Sequence, residues 1–157
     1  MVEVRQAVPE DVGGIEVVQA SAAAALRRTY RPNAKALANK SRISRNLGRL
    51  VALLDDRVVG TAAYYVEGGR LRIVGLGVLE ECRQRGVARA LVGFLLEFAA
   101  EQGLEGIGAR TVRETGNVDV FEKLGFRVVS DVKDEYSESD VYRELRDVDL
   151  FRPVAGL

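Results

Sequence analysis

The chain has 157 residues, 47% of them hydrophobic, and its 23 acidic residues balance 23 basic ones. This length suits one domain with a real core, and the balanced charge gives no general attraction to nucleic acid or membranes. Histidine is absent and Cys82 is the only cysteine, which excludes His-based triads, zinc sites, Cys–His dyads and internal disulfides. No apolar run approaches the roughly 20 residues that span a bilayer. Residues 1–5 do not resemble a signal peptide, so we expect a cytoplasmic protein.

The first third of the chain predicts one strand and two helices. Residues 2–7 alternate in polarity and predict a strand, and Pro9 followed by two acids predicts the start of a helix. Residues 34–47 predict a second helix inside a segment, 27–49, that carries eight basic residues and no acid. This basic segment indicates either a solvated helical face or an electropositive wall beside an active site. RNA binding is the weaker alternative, because only Tyr30 could stack on a base.

The middle of the chain predicts an antiparallel meander that leads into a long helix. Apolar segments separated by short turns predict its strands, over residues 50–54, 58–66 and 71–79. A polar turn follows, and a helix with a wide apolar stripe is predicted from about Gly86 to Gln102. Gly86 and Ala88 would let a ligand lie against the backbone at the helix start. Unpaired N–H groups there attract anions such as phosphate.

The last third of the chain predicts further strands around a short helix. Residues 104–112 predict a strand parallel to the 71–79 strand, because right-handed crossovers join parallel neighbours. The remaining predicted elements are a helix, a strand, an acidic loop and a final strand, over residues 117–124, 126–132, 131–140 and 141–150. No repeat or low-complexity linker divides the chain, so we expect a single domain over residues 1–157.

Two motifs resemble those of a known family. Arg83-Gln84-Arg85-Gly86-Val87-Ala88 resembles the Arg/Gln-x-x-Gly-x-Gly/Ala signature of the GNAT-type N-acetyltransferase superfamily, and Phe121-Glu122-Lys123-Leu124-Gly125-Phe126 is similar to its late Tyr-Glu-Lys-Leu-Gly-Phe segment. The resemblance is specific from about residue 58 to 129. It implies an α/β (α+β) fold with a mixed, mostly antiparallel central sheet of about six to seven strands. Helices would flank the sheet, and a splayed parallel pair of strands would lie in its middle.

The resemblance also implies an enzyme that moves an acetyl group from acetyl-CoA to a primary amine by direct attack in a ternary complex. A backbone N–H near Val78 would stabilise the thioester oxygen, and the central strand would pair with the pantetheine arm. No metal is implied. The residues implied to contact the cofactor are Leu76, Gly77, Val78, Arg83, Gln84, Arg85, Gly86, Val87, Ala88, Arg89, Asn117 and Phe121.

The chain departs from the family pattern at the catalytic positions. The tyrosine that usually protonates the leaving sulfur is replaced by Phe121, and the frequent asparagine falls on Glu114. A CoA thiol should have a pKa near 8.5, so leaving as thiolate at pH 7 costs only about 2 kcal/mol and the reaction survives. We expect Glu114 or a water-mediated route to supply the base. A tyrosine elsewhere would supply the acid, from the set Tyr64, Tyr65, Tyr136 and Tyr142.

Several alternatives stay open at this point. The Phe121 departure also fits a CoA-binding module that has lost catalysis and acts as a sensor or subunit. The acceptor could be a small molecule or a peptide amine, and the preferred acyl group could be longer than acetyl. Neither nucleic acid nor a membrane is an expected partner. A homodimer is an open expectation, because members of the resembling family often pair through their late strands.

Overall fold

A computed structural model describes residues 1–39 and 46–154 of the chain. The strands in those ranges are β1 (Glu3–Gln6), β2 (Arg31–Pro32), β3 (Gly48–Leu54), β4 (Arg57–Glu67), β5 (Arg70–Val78), β6 (Gly106–Val112), β7 (Arg127–Lys133), β8 (Ser137–Glu138) and β9 (Arg146–Pro153). The α-helices are α1 (Val12–Arg27), α2 (Ala34–Asn39), α3 (Val87–Glu101) and α4 (Asn117–Lys123). Short 3-10 turns occupy Pro9–Asp11, Glu80–Cys82 and Arg113–Thr115. No helix within these ranges combines the length and apolar character needed to cross a membrane.

Seven of these strands form one sheet in the order β1-β3-β4-β5-β6-β9-β7, while β2 and β8 pair separately. The neighbours are antiparallel except for β5 and β6, which are parallel. The sheet is therefore mixed and mostly antiparallel with a central parallel pair. The predicted fold class is confirmed.

Helices α1 and α3 cover opposite faces of this sheet. A Cβ placed on Gly77 of β5 would lie 3.0 Å from Ala22 of α1. Val78 follows Gly77 in β5 and pairs with Gly60 of β4. A Cβ placed on Gly60 would lie 2.7 Å from Val87 of α3. Because successive strand residues point to opposite faces, the two helices pack on different sides of the sheet.

Helix α3 is anchored by an apolar stripe that faces the core. Its buried residues are Val87, Leu91, Val92, Leu95, Leu96 and Ala99. Each fully buried aliphatic side chain of this size contributes roughly 1.5–3 kcal/mol, so the helix is held firmly against the sheet. The turn before α3 is also held in place, because its residue Cys82 is buried in the same core.

The structure corrects three predicted boundaries. The final strand begins at Arg146 instead of residue 141, because the Ser139 hydroxyl accepts N–H groups of Val141 and Tyr142, both at 3.1 Å, and closes a turn there. The predicted acidic loop contains β8. The helix predicted over residues 34–47 is shorter in the structure, because α2 ends at Asn39 and residues 46–47 are not helical. Residues 40–45 lie outside the described residues.

Candidate active site

The parallel strands β5 and β6 pair along a short stretch only. Their register joins Leu71 to Ile107 and Arg72 to Gly108. Beyond these pairs β5 continues to Val78 and keeps β4 as its partner, while β6 pairs with β9. The two strands therefore diverge towards their carboxyl ends, and a gap opens in the middle of the sheet where backbone groups of β5 have no strand partner.

A bulge bends β5 at the start of this gap. Ala63 of β4 pairs with Gly75, but the next residue, Tyr64, pairs with Ile73, which leaves Val74 without an opposite residue. The Val74 side chain is 55% exposed, and a Cβ added at Gly75 would meet no atom within 4 Å. A bulge of this kind interrupts the ladder and exposes backbone, so a ligand can approach β5 closely here.

The turn between β5 and α3 offers an open site for an anion. Gln84 and Gly86 have left-handed backbones with φ of 63° and 81°, and no side chain caps the α3 N-terminus. A Cβ added at Gly86 would meet nothing within 4 Å. The first-turn N–H groups of α3 are thus left without a side-chain cap, and the helix dipole adds partial positive charge to them.

Arginines surround this turn. Arg83, Arg85 and Arg89 are exposed, and within the described residues none of the three forms an ion pair. Ion pairs nearby involve other residues, such as Arg57 with Glu81 at 3.1 Å. Free cations around a helix N-terminus suit a diphosphate, because each can add a charge-assisted hydrogen bond.

A pocket of about 600 Å³ lies beside the splayed strands. Both diverging strands contribute to it, together with the loop that follows β7. Its lining residues are Tyr30, Leu47, Tyr65, Arg72, Ile73, Val74, Arg110, Thr111, Val112, Asp134, Tyr136, Ser137 and Asp147. The pocket is therefore partly aromatic, partly aliphatic and partly charged.

The two arginines of this pocket are already paired with aspartates of β9. Arg110 Nε lies 2.7 Å from Asp147 Oδ1, and Arg110 Nη2 donates to the other carboxylate oxygen. This hydrogen-bonded pairing raises the pKa of Arg110. Arg72 Nη2 lies 3.4 Å from Asp149 Oδ1, and its guanidinium occupies the space that a side chain on Gly108 would need.

Tyr30 brings a neutral phenol into the pocket. Burial raises the pKa of Tyr30 most, Arg27 opposes this, and the charges of Asp134 and Asp147 raise it further. The hydroxyl therefore stays protonated at neutral pH and can donate a hydrogen bond. Among the described residues, no group of three or more Asp, Glu, Cys or His side chains could hold a metal ion.

A second layer of contacts ties the α1–α2 connection to the loop after β7. Residues 29–35 and 135–140, called the strap below, are joined by the β2–β8 pairing and by Asn33, whose N–H donates to Tyr136 O at 3.0 Å. Arg31 pairs with Glu138 at 3.2 Å and with Asp140 at 3.0 Å. Within the basic segment, Arg31 and Lys35 are thus paired with acids of the 131–140 loop, while Arg28 pairs with Glu80 at 3.5 Å. The electropositive wall stays a prediction. Lys40, Arg42 and Arg45 lie outside the described residues.

Comparison with known proteins identifies the family. The model of the acetyltransferase (GNAT) family matches residues 18–126, which is more than half of the chain. The chain belongs to the GNAT acetyltransferase family. No curated protein sequence matches it significantly.

Solved structures of acetyltransferases share this fold. The ribosomal-protein-S18-alanine N-acetyltransferase of Escherichia coli has 16% identity and a TM-score of 0.75, covering 100% of this chain and 96% of that one. A GCN5-related N-acetyltransferase from Kribbella flavida has 22% identity and a TM-score of 0.74, covering 97% of each chain. Nourseothricin acetyltransferase has 19% identity and a TM-score of 0.71, covering 98% of each. At these identities the likeness shows the fold alone.

The cofactor residues expected of a GNAT acetyltransferase lie around the gap. Leu76, Gly77 and Val78 form the end of β5, and positions 83–89 form the turn and first residues of α3. Gly77 itself packs under α1, so its missing side chain serves helix packing as well. Asn117 begins α4, and Phe121 of the same helix packs edge-to-face on Phe126 at 5.2 Å. Their contacts with a cofactor stay a prediction.

Two of the tyrosines proposed as acids do not line the pocket. Tyr64 is buried against Phe98 at a ring-centroid distance of 5.6 Å, and its hydroxyl accepts a hydrogen bond from Gln6 Nε2 at 2.8 Å. Tyr142 is 42% exposed, outside the pocket. Tyr65 and Tyr136, which belonged to the same set, do line it. The catalytic roles of Tyr64 and Tyr142 therefore stay predictions without support from the pocket geometry.

Glu114 lies at the end of β6 but also outside the pocket lining. Its carboxylate Oε1 accepts the backbone N–H of Arg146 at 2.7 Å, which links the end of β6 to the start of β9. This hydrogen bond gives Glu114 a structural role, and its role as base stays a prediction. A water route from the pocket remains the alternative.

Sequence reasoning missed most of the pocket. Tyr30, Arg72, Arg110, Asp134 and Asp147 come from separate segments, and no local motif joins them. One signal was available for the charged members. Aspartates alternate with apolar residues in the final strand, and arginines sit in two of the other predicted strands, which indicates ion pairs across neighbouring strands.

Proposed function

We propose that this GNAT acetyltransferase moves an acetyl group from acetyl-CoA to a primary amine by direct attack in a ternary complex. The observation that carries the proposal is the splay of β5 and β6, which ends at an open, arginine-ringed helix N-terminus and is flanked by a pocket of about 600 Å³. One strand thus serves both sites, because β5 lines the pocket at residues 72–74 and leads into the turn at its carboxyl end.

The donor side of the site fits a CoA thioester. The first-turn N–H groups of α3 would hold the diphosphate together with Arg83, Arg85 and Arg89, which form no ion pair with the part of the chain that the structure describes. The unpaired backbone of β5 near Leu76 and Val78 would bind the pantetheine arm as an added strand. Acetyl-CoA supplies an activated acyl group when bound. Everything else in the reaction depends on how the chain presents the amine.

The acceptor side must deliver a neutral amine. With a lysine-like pKa of about 10.4, deprotonation at pH 7 costs about 4.6 kcal/mol. A carboxylate or a water chain has to take that proton. We propose that the proton leaves through water in the pocket. In the alternative route Glu114 would be the base through Oε2, because its Oε1 already accepts the Arg146 N–H.

The leaving sulfur needs little help. A thiolate with a pKa near 8.5 leaves at pH 7 at a cost of about 2 kcal/mol. The pocket tyrosines Tyr30, Tyr65 and Tyr136 are the candidates for donating the proton. One of these tyrosines would then supply the phenol hydroxyl that phenylalanine at position 121 cannot provide.

The proposal is tested by mixing the full chain with acetyl-CoA and a panel of amines and by detecting free thiol. Amine-dependent thiol release, with acetyl-CoA binding seen in parallel by calorimetry, is the expected result. Binding of acetyl-CoA without thiol release from any amine would contradict the proposal. That result would favour a CoA-binding module without catalysis, an alternative that is also consistent with phenylalanine at position 121.

A further inference from the structure

The pocket carries one carboxylate that no cation neutralises. Arg72 and Arg110 are both committed to aspartates of β9. Asp134 accepts the backbone N–H of Tyr136 at 2.8 Å, and within the described residues it forms no ion pair. Among the described residues that line the pocket and their β9 partners, three carboxylates therefore face two guanidiniums, an excess that favours one positive charge on the ligand. Arg27, whose charge reaches Tyr30, is not among the lining residues.

The rest of the pocket wall suits an apolar body. Leu47, Ile73 and Val74 contribute aliphatic surface, and Tyr30 contributes an aromatic ring. The Tyr136 ring also lines the pocket, but the Lys35 ammonium already lies over it at 4.9 Å from the centroid. An aromatic ring such as Tyr30 near a carboxylate can attract an ammonium group through a cation–π contact. The two paired guanidiniums leave no free cation in the described lining for a carboxylate on the ligand.

The strap limits the acceptor in another way. It joins the α1–α2 connection to the loop after β7, and its residues Tyr136 and Ser137 form one wall of the pocket. The Asn33 side chain adds a hydrogen bond to Glu135 O at 2.7 Å, and Lys35 pairs with the Glu135 carboxylate at 3.3 Å. A pocket wall held in place by these contacts favours a small molecule over a polypeptide as the acceptor.

We propose that the acceptor is a small monoamine with an apolar or aromatic body and no carboxylate, and that its ammonium group binds Asp134. This inference rests on the proposed function, since it assumes that the pocket receives the amine. It chooses a small amine over a protein N-terminus for this site.

The reaction with such an acceptor balances without further reagents. The bound ammonium loses a proton, and the nitrogen lone pair forms a bond to the thioester carbonyl carbon. The C–S bond breaks, and its electron pair leaves with sulfur. An ammonium ion and a thioester thus give an amide, a CoA thiol and one proton released to solvent.

Asp134 should affect binding more than turnover. A carboxylate favours the charged form of its partner, so it helps the ammonium to bind but does not help it to lose a proton. Asp134→Asn removes the charge and keeps the oxygen that accepts the Tyr136 N–H. The variant should therefore keep the local turn, and its effect should appear in KM with little change in kcat.

The test compares four acceptors with the full chain and acetyl-CoA: phenethylamine, phenylalanine, spermidine and a short peptide beginning with alanine. Phenethylamine and phenylalanine differ by one carboxylate. We expect kcat/KM for phenethylamine to exceed that for each of the others by about tenfold or more. In Asp134→Asn the KM for phenethylamine should rise about tenfold to a hundredfold, as for loss of a hydrogen bond to a charged group. Asp56→Asn, an exposed acid in the β3–β4 turn, is the matched control and should match wild type.

The outcomes separate this inference from the proposed function. Preferred turnover of the peptide or of phenylalanine, or an unchanged KM in Asp134→Asn, would overturn the inference and leave acetyl transfer standing. Thiol release with none of the four acceptors but with another amine of the panel would also overturn the inference alone. No thiol release with any amine, in protein that binds acetyl-CoA, would overturn both.

Discussion

Substitution of Gly86 tests whether the α3 turn binds the diphosphate. Gly86 has a left-handed backbone, and the space where its Cβ would point is open. Alanine and glutamate at this position therefore carry the same backbone cost and meet no clash at Cβ. They differ in bulk and charge, so the comparison shows what a longer, negatively charged side chain does at the start of α3.

The expected magnitudes follow from that geometry. A side chain in the left-handed region costs about 1–2 kcal/mol, so both variants should lose a similar amount of folding free energy. The glutamate carboxylate can bind the free first-turn N–H groups of α3 and repel an anion there. Each hydrogen bond between a backbone N–H and a charged group is worth about 1.5–3 kcal/mol. Gly86→Glu should therefore bind acetyl-CoA at least about tenfold more weakly than Gly86→Ala, since tenfold corresponds to 1.4 kcal/mol.

The assay is calorimetric titration with acetyl-CoA, with urea unfolding of each variant alongside. Gly13→Glu is the control. Gly13 is exposed in the first turn of α1, with open space at its Cβ. The Gly13→Glu substitution therefore adds the same charge at a position away from the turn before α3. Equal acetyl-CoA affinity in Gly86→Glu and Gly86→Ala would refute the diphosphate assignment.

Three further predictions concern the acid position, the acid stability of the fold and the strap. Phe121→Tyr should leave thiol release unchanged or raise it, and a large fall would mean that the Phe121–Phe126 contact is essential. Arg5 and a backbone N–H lower the pKa of Asp11 in the folded protein. The Asp11 carboxylate therefore stabilises the fold at pH values above its unfolded pKa of about 3.9, and this stabilisation is lost as pH falls through the lower folded pKa. Asp11→Asn should therefore lower Tm at pH 7 and converge with wild type in acid; a constant difference would contradict this. Arg31→Ala should change unfolding free energy by less than about 1 kcal/mol, because its ion pairs are exposed, yet raise the amine KM by loosening the strap. An unchanged KM would count against the strap as a pocket wall.

The strand, turn and helix that we propose as the donor side of the site were predictable, because their sequence signals are local. The apolar run predicted over 71–79 corresponds to β5, and the helix predicted from about Gly86 corresponds to α3, which begins at Val87. A strand, a glycine turn and a helical stripe each depend on residues close in sequence. The parallel pairing of β5 and β6 also followed from a general rule of chain handedness.

The acceptor side was not predictable in the same way. Its lining joins the end of α1, the middle strands, the loop after β7 and β9, which are far apart in sequence. The basic segment and the acidic loop were each visible, but their mutual pairing depends on the β2–β8 contact, two short strands without a periodic pattern. The Ser139 turn likewise displaced the start of β9, because a side-chain hydrogen bond replaced the strand that alternation had predicted.

The glycines of this fold fall into two groups: those whose Cβ position is filled by the protein itself and those whose Cβ position is open. A Cβ at Gly60, Gly77 or Gly108 would collide with α3, with α1 or with a pocket arginine, so those positions are glycine because the protein itself fills the space. A Cβ at Gly75 or Gly86 would meet nothing within 4 Å. Gly86 has a left-handed backbone that favours glycine in any case, but Gly75 does not. No internal packing contact explains a glycine at position 75, which has an ordinary backbone and open space at its Cβ. The close approach of a ligand to β5 would explain it, and in the proposed function that ligand is the pantetheine arm, along the same strand that lines the proposed amine pocket.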